Sequence, residues 1–401
     1  MNVVEQIDVS AEAPAHIPPE LVVDFDYLGD ARLQPDLHDG FGSLLRDAPP
    51  LFYTPRNGGH WVAAGHEAAF EIARDFDLFS NAPQSLSSER LPRRIPISYD
   101  PPQHTAYRHV LVHAFSPKAI NGMETEIRTF AAELLDAVAQ DRGCDFVSAV
   151  SEPLPVKFFM RMMGLPLERF VEFRRWVVAA TGAYGEQARA EVLNLVGDMT
   201  APLVRERMAE RRQDLISRII DADVGGRKPD FEEVQAFCLM LFIAGLDTVV
   251  NGMSFGVRAL AMNPAVQDQL RADPGLIPKA VEELLRRYAI AMPGRQVSRD
   301  VTYNGAPLKR GDVVLLALTS ANLDPAAFED PLELDLNRVS PHVTFGAGPH
   351  RCVGSHLARL ELRILYEELL ARIPPFRLDP DRRPTFHSGH VVAIEALPLV
   401  W

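Results

Sequence analysis

Apolar residues recur at helical spacing through most of the stretch from about residue 103 to residue 290. Ser116-Pro117 starts one helix, predicted over 118–140, with proline in the first position where its missing N–H costs nothing. Residues 186–212 form a long pattern rich in Ala, Leu and Arg. Residues 230–262 run longer still and are apolar on every side in the middle, which predicts a helix buried through the centre of the molecule. Further helices are predicted over 278–288 and 354–372, the last with Leu357, Leu360, Ile364, Leu365 and Leu369 on one face. Strand signals are short. Residues 61–64 follow the Asn57-Gly58-Gly59 turn, and 295–298 and 301–303 precede Asn304-Gly305. Residues 313–318, 391–396 and 398–401 complete the set. The pattern predicts a mainly α protein with small β-sheets, an α+β chain, and no linker or repeat marks a boundary inside it.

Composition narrows the function. Forty-one Lys and Arg against 54 Asp and Glu give a net charge of −13, a field that repels phosphate backbones and argues against nucleic acid as a partner. Hydrophobic residues at 47% and charged residues at 24% are ordinary for a chain that buries a large core and holds an apolar pocket. Three widely spaced cysteines, Cys144, Cys238 and Cys352, do not make a disulfide framework and point to a reducing compartment. The first 19 residues hold Glu5, Asp8 and Glu12 but no Lys or Arg, unlike a secretory signal. The apolar run 237–246 stops at Asp247, short of the ~20 residues that cross a bilayer. A cytoplasmic protein off the membrane is the expectation.

Two motifs mislead. Gly252-Met253-Ser254-Phe255-Gly256 has the spacing of a nucleophile elbow, but that chemistry needs a strand-to-helix turn and these residues sit inside a helical run. His342, His350, Cys352 and His356 are the densest His/Cys group, yet they lack the paired spacings of structural zinc. One cysteine in a glycine-rich loop that leads into a helix better suits a single soft ligand. A thiolate there gains from the positive end of the helix and from backbone N–H donors.

That loop is Phe345-Gly346-Ala347-Gly348-Pro349-His350-Arg351-Cys352-Val353-Gly354. Its glycines permit tight turns and let a large flat group approach the backbone. The run resembles the haem-binding loop of the cytochrome P450 family, with every specified position matched. Glu283-Leu284-Leu285-Arg286 resembles the family's Glu-x-x-Arg motif, with Arg338 a third member of its network. Ala244-Gly245-Leu246-Asp247-Thr248 resembles the oxygen-binding groove of the family's central I helix. A small pair there lets the helix approach the haem, and a mid-helix threonine can bond back to a carbonyl and open the helix.

The resemblance implies one cytochrome P450 domain over 1–401, with haem b held between the I helix and the cysteine loop and its following helix. It makes Cys352 the axial thiolate, Asp247 and Thr248 the proton-delivering pair, and His104, Arg108, Arg295 and His350 the propionate partners. Phe345 and Gly354 pack at the ligand, while Glu283 and Arg286 are structural. Met240, Ile243, Ala244, Ala291 and Val391 line the substrate pocket.

The similarity is closest to the soluble bacterial, camphor-hydroxylating branch, whose members are monomers fed by a [2Fe–2S] ferredoxin and an NADH-dependent reductase. The ferredoxin docks on the cysteine side, for which a basic patch around Arg108 and His109 is expected. The branch's ketone-binding tyrosine is replaced by Pro92 before Ile95-Pro96-Ile97-Ser98-Tyr99-Asp100. The implied substrate is therefore an apolar terpenoid other than camphor, such as an ionone-type norisoprenoid. The alternatives are a haem-thiolate isomerase or peroxide user, against which Asp247 and Thr248 weigh, and a haem sensor without turnover.

Overall fold

The structure is a computed structural model that describes residues 12–81, 94–173, 186–339 and 341–401. The described residues divide into two compact units. The first joins 12–81, 286–339, 341–351 and 387–392, and the second joins 94–173, 186–285, 352–386 and 393–401.

The first unit is built on a five-stranded sheet in the order Leu51–Thr54, His60–Ala63, Val313–Leu316, Gly294–Val297, Phe79–Ser80. The hairpin between the first two strands turns through Asn57, Gly58 and Gly59, all at positive φ. His60–Ala63 then pairs parallel with Val313–Leu316, Trp61 opposite Val314. Trp61, Ile72, Phe79, Val314 and Leu316 form the buried floor. The Trp61 Nε1–H is not stranded there, because it donates to Asp312 Oδ2 at 2.9 Å. Asn304 and Gly305, at φ 48° and 85°, close the small hairpin of Val301–Tyr303 and Ala306–Leu308. That is the turn expected from Asn-Gly.

The second unit is helical around Phe231–Met262. Its start is a full capping box. Asp230 accepts from the Glu233 backbone N–H, and Glu233 accepts from that of Asp230, each at 2.9 Å. The helix is 32 residues long and apolar enough to cross a membrane by length and composition, which the shorter 237–246 run did not suggest. Here it packs against Glu186–Ala209 and Pro153–Met163, the arrangement of a core helix. A serine nucleophile finds no footing in it. Ser254 is fully buried and donates to the Val250 carbonyl at 2.8 Å, so the Gly-x-Ser-x-Gly spacing is helix interior.

Helix Ser355–Arg372 lies on helix Glu124–Ala139, joined by Arg128, which binds Glu124, Glu367 and Glu368. Strand Pro398–Val400 is the middle of a three-stranded sheet, between Gly143–Asp145 and Arg377–Leu378. Cys144 and Cys238 are packing residues whose thiols are pushed up to about 12 by burial.

Several boundaries differ from the sequence reading, among them the strand expected over 313–318, which ends at Leu316 before a short helix begins at Leu318. The helix expected over 118–140 is two, Pro117–Asn121 and Glu124–Ala139, interrupted at Gly122, where backbone freedom costs a continuous helix most. The strand expected over 391–396 is regular only from Ala393 to Ala396. Val391 instead makes an isolated bridge with Ala291.

Glu361, on Ser355–Arg372, is 2% exposed, and burial alone pushes its carboxyl up to about 8. The unfolded chain ionises this group near its ordinary value of 4.5, whereas the folded chain holds the proton to about 8. Its contribution therefore worsens as pH rises from 4.5 to 8 and then levels off. Glu361→Gln is expected to raise thermal stability more at about pH 9 than at about pH 5, as thermal melts at the two pH values will read. Equal shifts at both would refute a neutral Glu361.

Candidate haem-thiolate site

Each unit carries its own share of the residues singled out by the sequence, and each share is built locally. In the second unit the central helix is buried around Phe237–Leu239 and again around Met253–Leu260, but Ile243, Ala244, Gly245, Asp247, Thr248 and Val249 are all partly or fully exposed. The middle of the helix is thus more open than the stretches on either side of it. Met240, Ile243, Ala244, Asp247 and Thr248 fall at i, i+3, i+4, i+7 and i+8, one face of the helix.

Within the open stretch the Thr248 hydroxyl donates to the Ala244 carbonyl at 2.9 Å, the back-bond expected of a mid-helix threonine. Asp247 is held from one turn on. Asn251 Nδ2 donates to its carboxylate Oδ1 at 2.8 Å and to its backbone carbonyl at 2.9 Å. Asn251 is 2% exposed, and its own Oδ1 accepts from the Ile394 backbone N–H at 3.0 Å. Sequence reasoning passed over Asn251. The signal was present, an asparagine four residues after an acid in an apolar helix, but its anchor lies 143 residues away.

Cys352 is exposed and stands three residues before helix Ser355–Arg372. A Cβ built on Gly354 would come 3.9 Å from its sulfur. His104 and Arg108 lie on helix Gln103–Ala114, His104 buried and Arg108 half-buried. Between them Tyr107 reaches the start of the central helix. Its hydroxyl donates to Glu233 Oε1 at 2.5 Å. Burial, then that bond, pushes Tyr107 up to about 12, while Arg227 holds Glu233 down to about 2. Tyr99 stacks on Tyr107 at 5.2 Å. His109 and His113 meet edge to face at 5.2 Å on the same helix, on its exposed side.

In the first unit the loop before the cysteine is clamped by one amide. Asn322, fully buried, accepts from the Val343 backbone N–H and donates to Thr344 Oγ1, each at 2.8 Å. Gly346 and Gly348 follow at φ 67° and 68°, a conformation other residues adopt at a cost. Gly348 is required twice over, since a Cβ there would lie 2.7 Å from the Ala73 carbonyl oxygen. His350 Nδ1 is 3.0 Å from Asn81 Nδ2, so the amide donates and Nε2 carries the ring proton. Phe345 is half-buried beside His342, ring centroids 6.1 Å apart. Arg295, 5% exposed on strand Gly294–Val297, donates to the Gly294 carbonyl. Ala291 and Val391 are bridge partners, both half-buried.

Arg286 is 1% exposed. It donates to the carbonyls of Asn322, Pro331 and Glu333 at 2.9, 2.8 and 3.2 Å, and its guanidinium lies over Phe328. Arg338 binds the carbonyls of Glu329 and Asp330 and reaches Glu333 at 3.5 Å, so the two arginines meet on one carbonyl. Glu283 is buried one turn before Arg286. Pro92 and its neighbours 91–93 lie outside the described residues.

These features fit a large flat group with a soft axial donor. The donor set supplies one exposed sulfur at a helix start. A Cβ at Gly346 would meet no atom within 4 Å, so the loop borders open space there. Buried or half-buried cations that suit carboxylates occur in both units.

The chain matches the family model "Cytochrome P450" over residues 185–274 and 275–395, and it belongs to the cytochrome P450 family. It is therefore an oxygen-incorporating oxidoreductase of a haem-dependent class, working with a redox partner. The "Probable cytochrome P450 127A1" of Sinorhizobium fredii is 33% identical over 405 residues, covering 97% of this chain and 96% of its own. Two solved structures, those of CYP101J2 and cytochrome P450 CYP101C1, are each 34% identical. Their TM-scores are 0.90 and 0.92, with 98% and 97% of this chain covered and 99% and 100% of theirs. These neighbours place the chain by the camphor-like branch of bacterial P450s.

Proposed function

We propose that the protein hydroxylates a small apolar terpenoid, of ionone type rather than camphor, using O2 and electrons from a [2Fe–2S] ferredoxin reduced by an NADH-dependent flavoprotein. The carrying observation is the open stretch of the central helix, where a back-bonded threonine adjoins an acid held by Asn251. The chain is read as one catalytic domain in the cytoplasm, acting as a monomer.

Cys352 would hold the haem iron, with Phe345 and Gly354 packed near the sulfur. His104, Arg108, Arg295 and His350 would hold its propionates. When bound, the haem supplies the activation of dioxygen, to which a thiolate ligand donates electron density. The protein's own residues manage protons and position. Asn251 fixes the Asp247 carboxylate at the open face, where it can take a proton from solvent. The bond to Ala244 holds Thr248 Oγ1 in place at rest, and Thr248 would relay a proton toward dioxygen by releasing its own from that carbonyl. Met240, Ile243, Ala244, Ala291 and Val391 offer no hydrogen-bonding side chain, so they select by shape and apolar contact. The ferredoxin would meet a basic patch around Arg108 and His109 on helix Gln103–Ala114, a local exception to the −13 charge.

Thr248→Ala is expected to keep NADH oxidation within about threefold while sending most electrons to hydrogen peroxide, a loss of proton delivery worth ~10² in coupled product formation. Product per NADH will be measured with ferredoxin and reductase added, and an unchanged ratio would remove Thr248 from the relay. For the substrate, a spin-state titration should show β-ionone binding at least about tenfold tighter than camphor, since a pocket without a hydroxyl anchor favours the ligand with the larger apolar surface. Equal or tighter camphor binding would contradict the reading of Pro92.

A further inference from the structure

The helical unit also carries a cleft on residues the site above does not use. It is a cleft of about 850 Å³ between helices Pro153–Met163, Glu186–Ala209 and Leu215–Asp221. That volume is within the range of small-molecule sites. Phe158, Met162, Leu165, Leu203 and Leu215 supply its apolar wall.

Its polar end is built around Arg207, which is 1% exposed. Nε of Arg207 donates to Asp214 Oδ2 at 2.5 Å and Nη2 donates to the Gly164 carbonyl at 2.9 Å. These two bonds fix the guanidinium rigidly. Gly164 makes room for this, since a Cβ at its φ of 71° would run into the Asp214 carboxylate. Nη1 is the remaining nitrogen. It is buried and makes no hydrogen bond of acceptable geometry, but it stands 3.0 Å from Glu206 Oε2. The other oxygen of Glu206 accepts from Arg212 Nη2. One carboxylate thus sits between two guanidinium groups at the edge of an apolar cleft.

That carboxylate is poorly secured. The Glu206 side chain is 45% exposed and Arg212 is 56% exposed, so water competes for both, whereas Arg207 cannot leave. Asp214 is committed to Arg207, and Glu126 to Arg161 at 2.8 Å. If Glu206 swings into solvent, Arg207, Arg212 and Arg218 face the cleft with Glu168 as the remaining acid in its lining. We propose that this cleft is a binding site for a small amphipathic carboxylate, which displaces Glu206 from the two-arginine clamp and lays its apolar part along Phe158, Met162, Leu203 and Leu215.

The test uses the haem-loaded protein saturated with an azole inhibitor, its Soret band monitored throughout so that the haem pocket is known to stay blocked. cis-Parinarate, a fluorescent straight-chain carboxylate, is titrated in. Saturable one-site binding should persist under the azole. Glu206→Gln removes the internal competitor's charge and should tighten the probe about tenfold, and Arg212→Ala should weaken it about tenfold, the scale of a charge-assisted hydrogen bond. Leu203→Trp, which fills the apolar wall, should abolish binding while the azole spectrum stays unchanged. Binding that vanishes under the azole, or affinities indifferent to Glu206→Gln and Arg212→Ala, would overturn the proposal. Dodecanol competing as well as dodecanoate would overturn it too, because an alcohol gives the clamp nothing to hold.

Discussion

Cys352→Ser is expected to abolish the strongly red-shifted Soret band of the dithionite-reduced CO complex and to lower oxygenation by at least ~10³. The reasoning is chemical. Serine keeps the size and the hydrogen-bonding atom but is not a thiolate at neutral pH, so the electron donation that favours O–O cleavage is lost. Because Cys352 is exposed, its replacement removes no packing, and the fold should stay within about 0.5 kcal/mol of the parent. The two measurements separate the roles: far-UV melts should be unchanged while the CO spectrum changes completely. A retained thiolate-type spectrum would mean that another residue holds the iron. The remaining cysteines are poor candidates, since burial pushes both thiols up to about 12.

Arg286→Met should produce the largest loss of stability, about 3–5 kcal/mol in urea unfolding. Methionine has much the same length but donates nothing. The buried carbonyl of Asn322 and the part-buried one of Pro331 then lose a donor at once, at about 1–3 kcal/mol for a buried acceptor left unsatisfied, while that of Glu333 keeps Arg338. The effect should spread. Asn322, whose carbonyl Arg286 holds, is the residue that clamps Val343 and Thr344 in the loop ahead of the cysteine. Arg286→Lys should recover only part, because one ammonium cannot span three acceptors in a planar fork. A faster rate of haem transfer to apomyoglobin would report the loop's share. If Arg286→Met were as stable as the parent, the three bonds would be incidental.

Much of this was legible in the chain because it is local. The ten residues ending at Gly354 carry the family resemblance in their own spacing, and Thr248 makes the back-bond to Ala244 expected of it, although the helix runs unbroken from Phe231 to Met262. Asn304-Gly305 announced its hairpin for the same reason: two residues determine the turn. What escaped were single polar side chains acting at long range. Asn322 reaches 21 residues to Val343, Asn81 reaches 269 to His350, and Asn251 reaches 143 to Ile394. An asparagine in sequence is as readily a turn or a cap, and nothing nearby reveals a distant backbone partner. The break at Gly122 was missed because a pattern of apolar spacing continues across it, while the backbone does not.

The strand pairings also dictate when the chain can fold. His60–Ala63 has its parallel partner at Val313–Leu316, and Gly143–Asp145 pairs with Pro398–Val400. As the polypeptide leaves the ribosome, neither unit can complete its sheet until late: the first waits for residue 316, the second for residue 400. For most of its synthesis the nascent protein therefore carries unpaired strand edges and an apolar 32-residue helix with part of its packing missing. Deleting 398–400 would leave Gly143–Asp145 and Arg377–Leu378 without the strand that joins them.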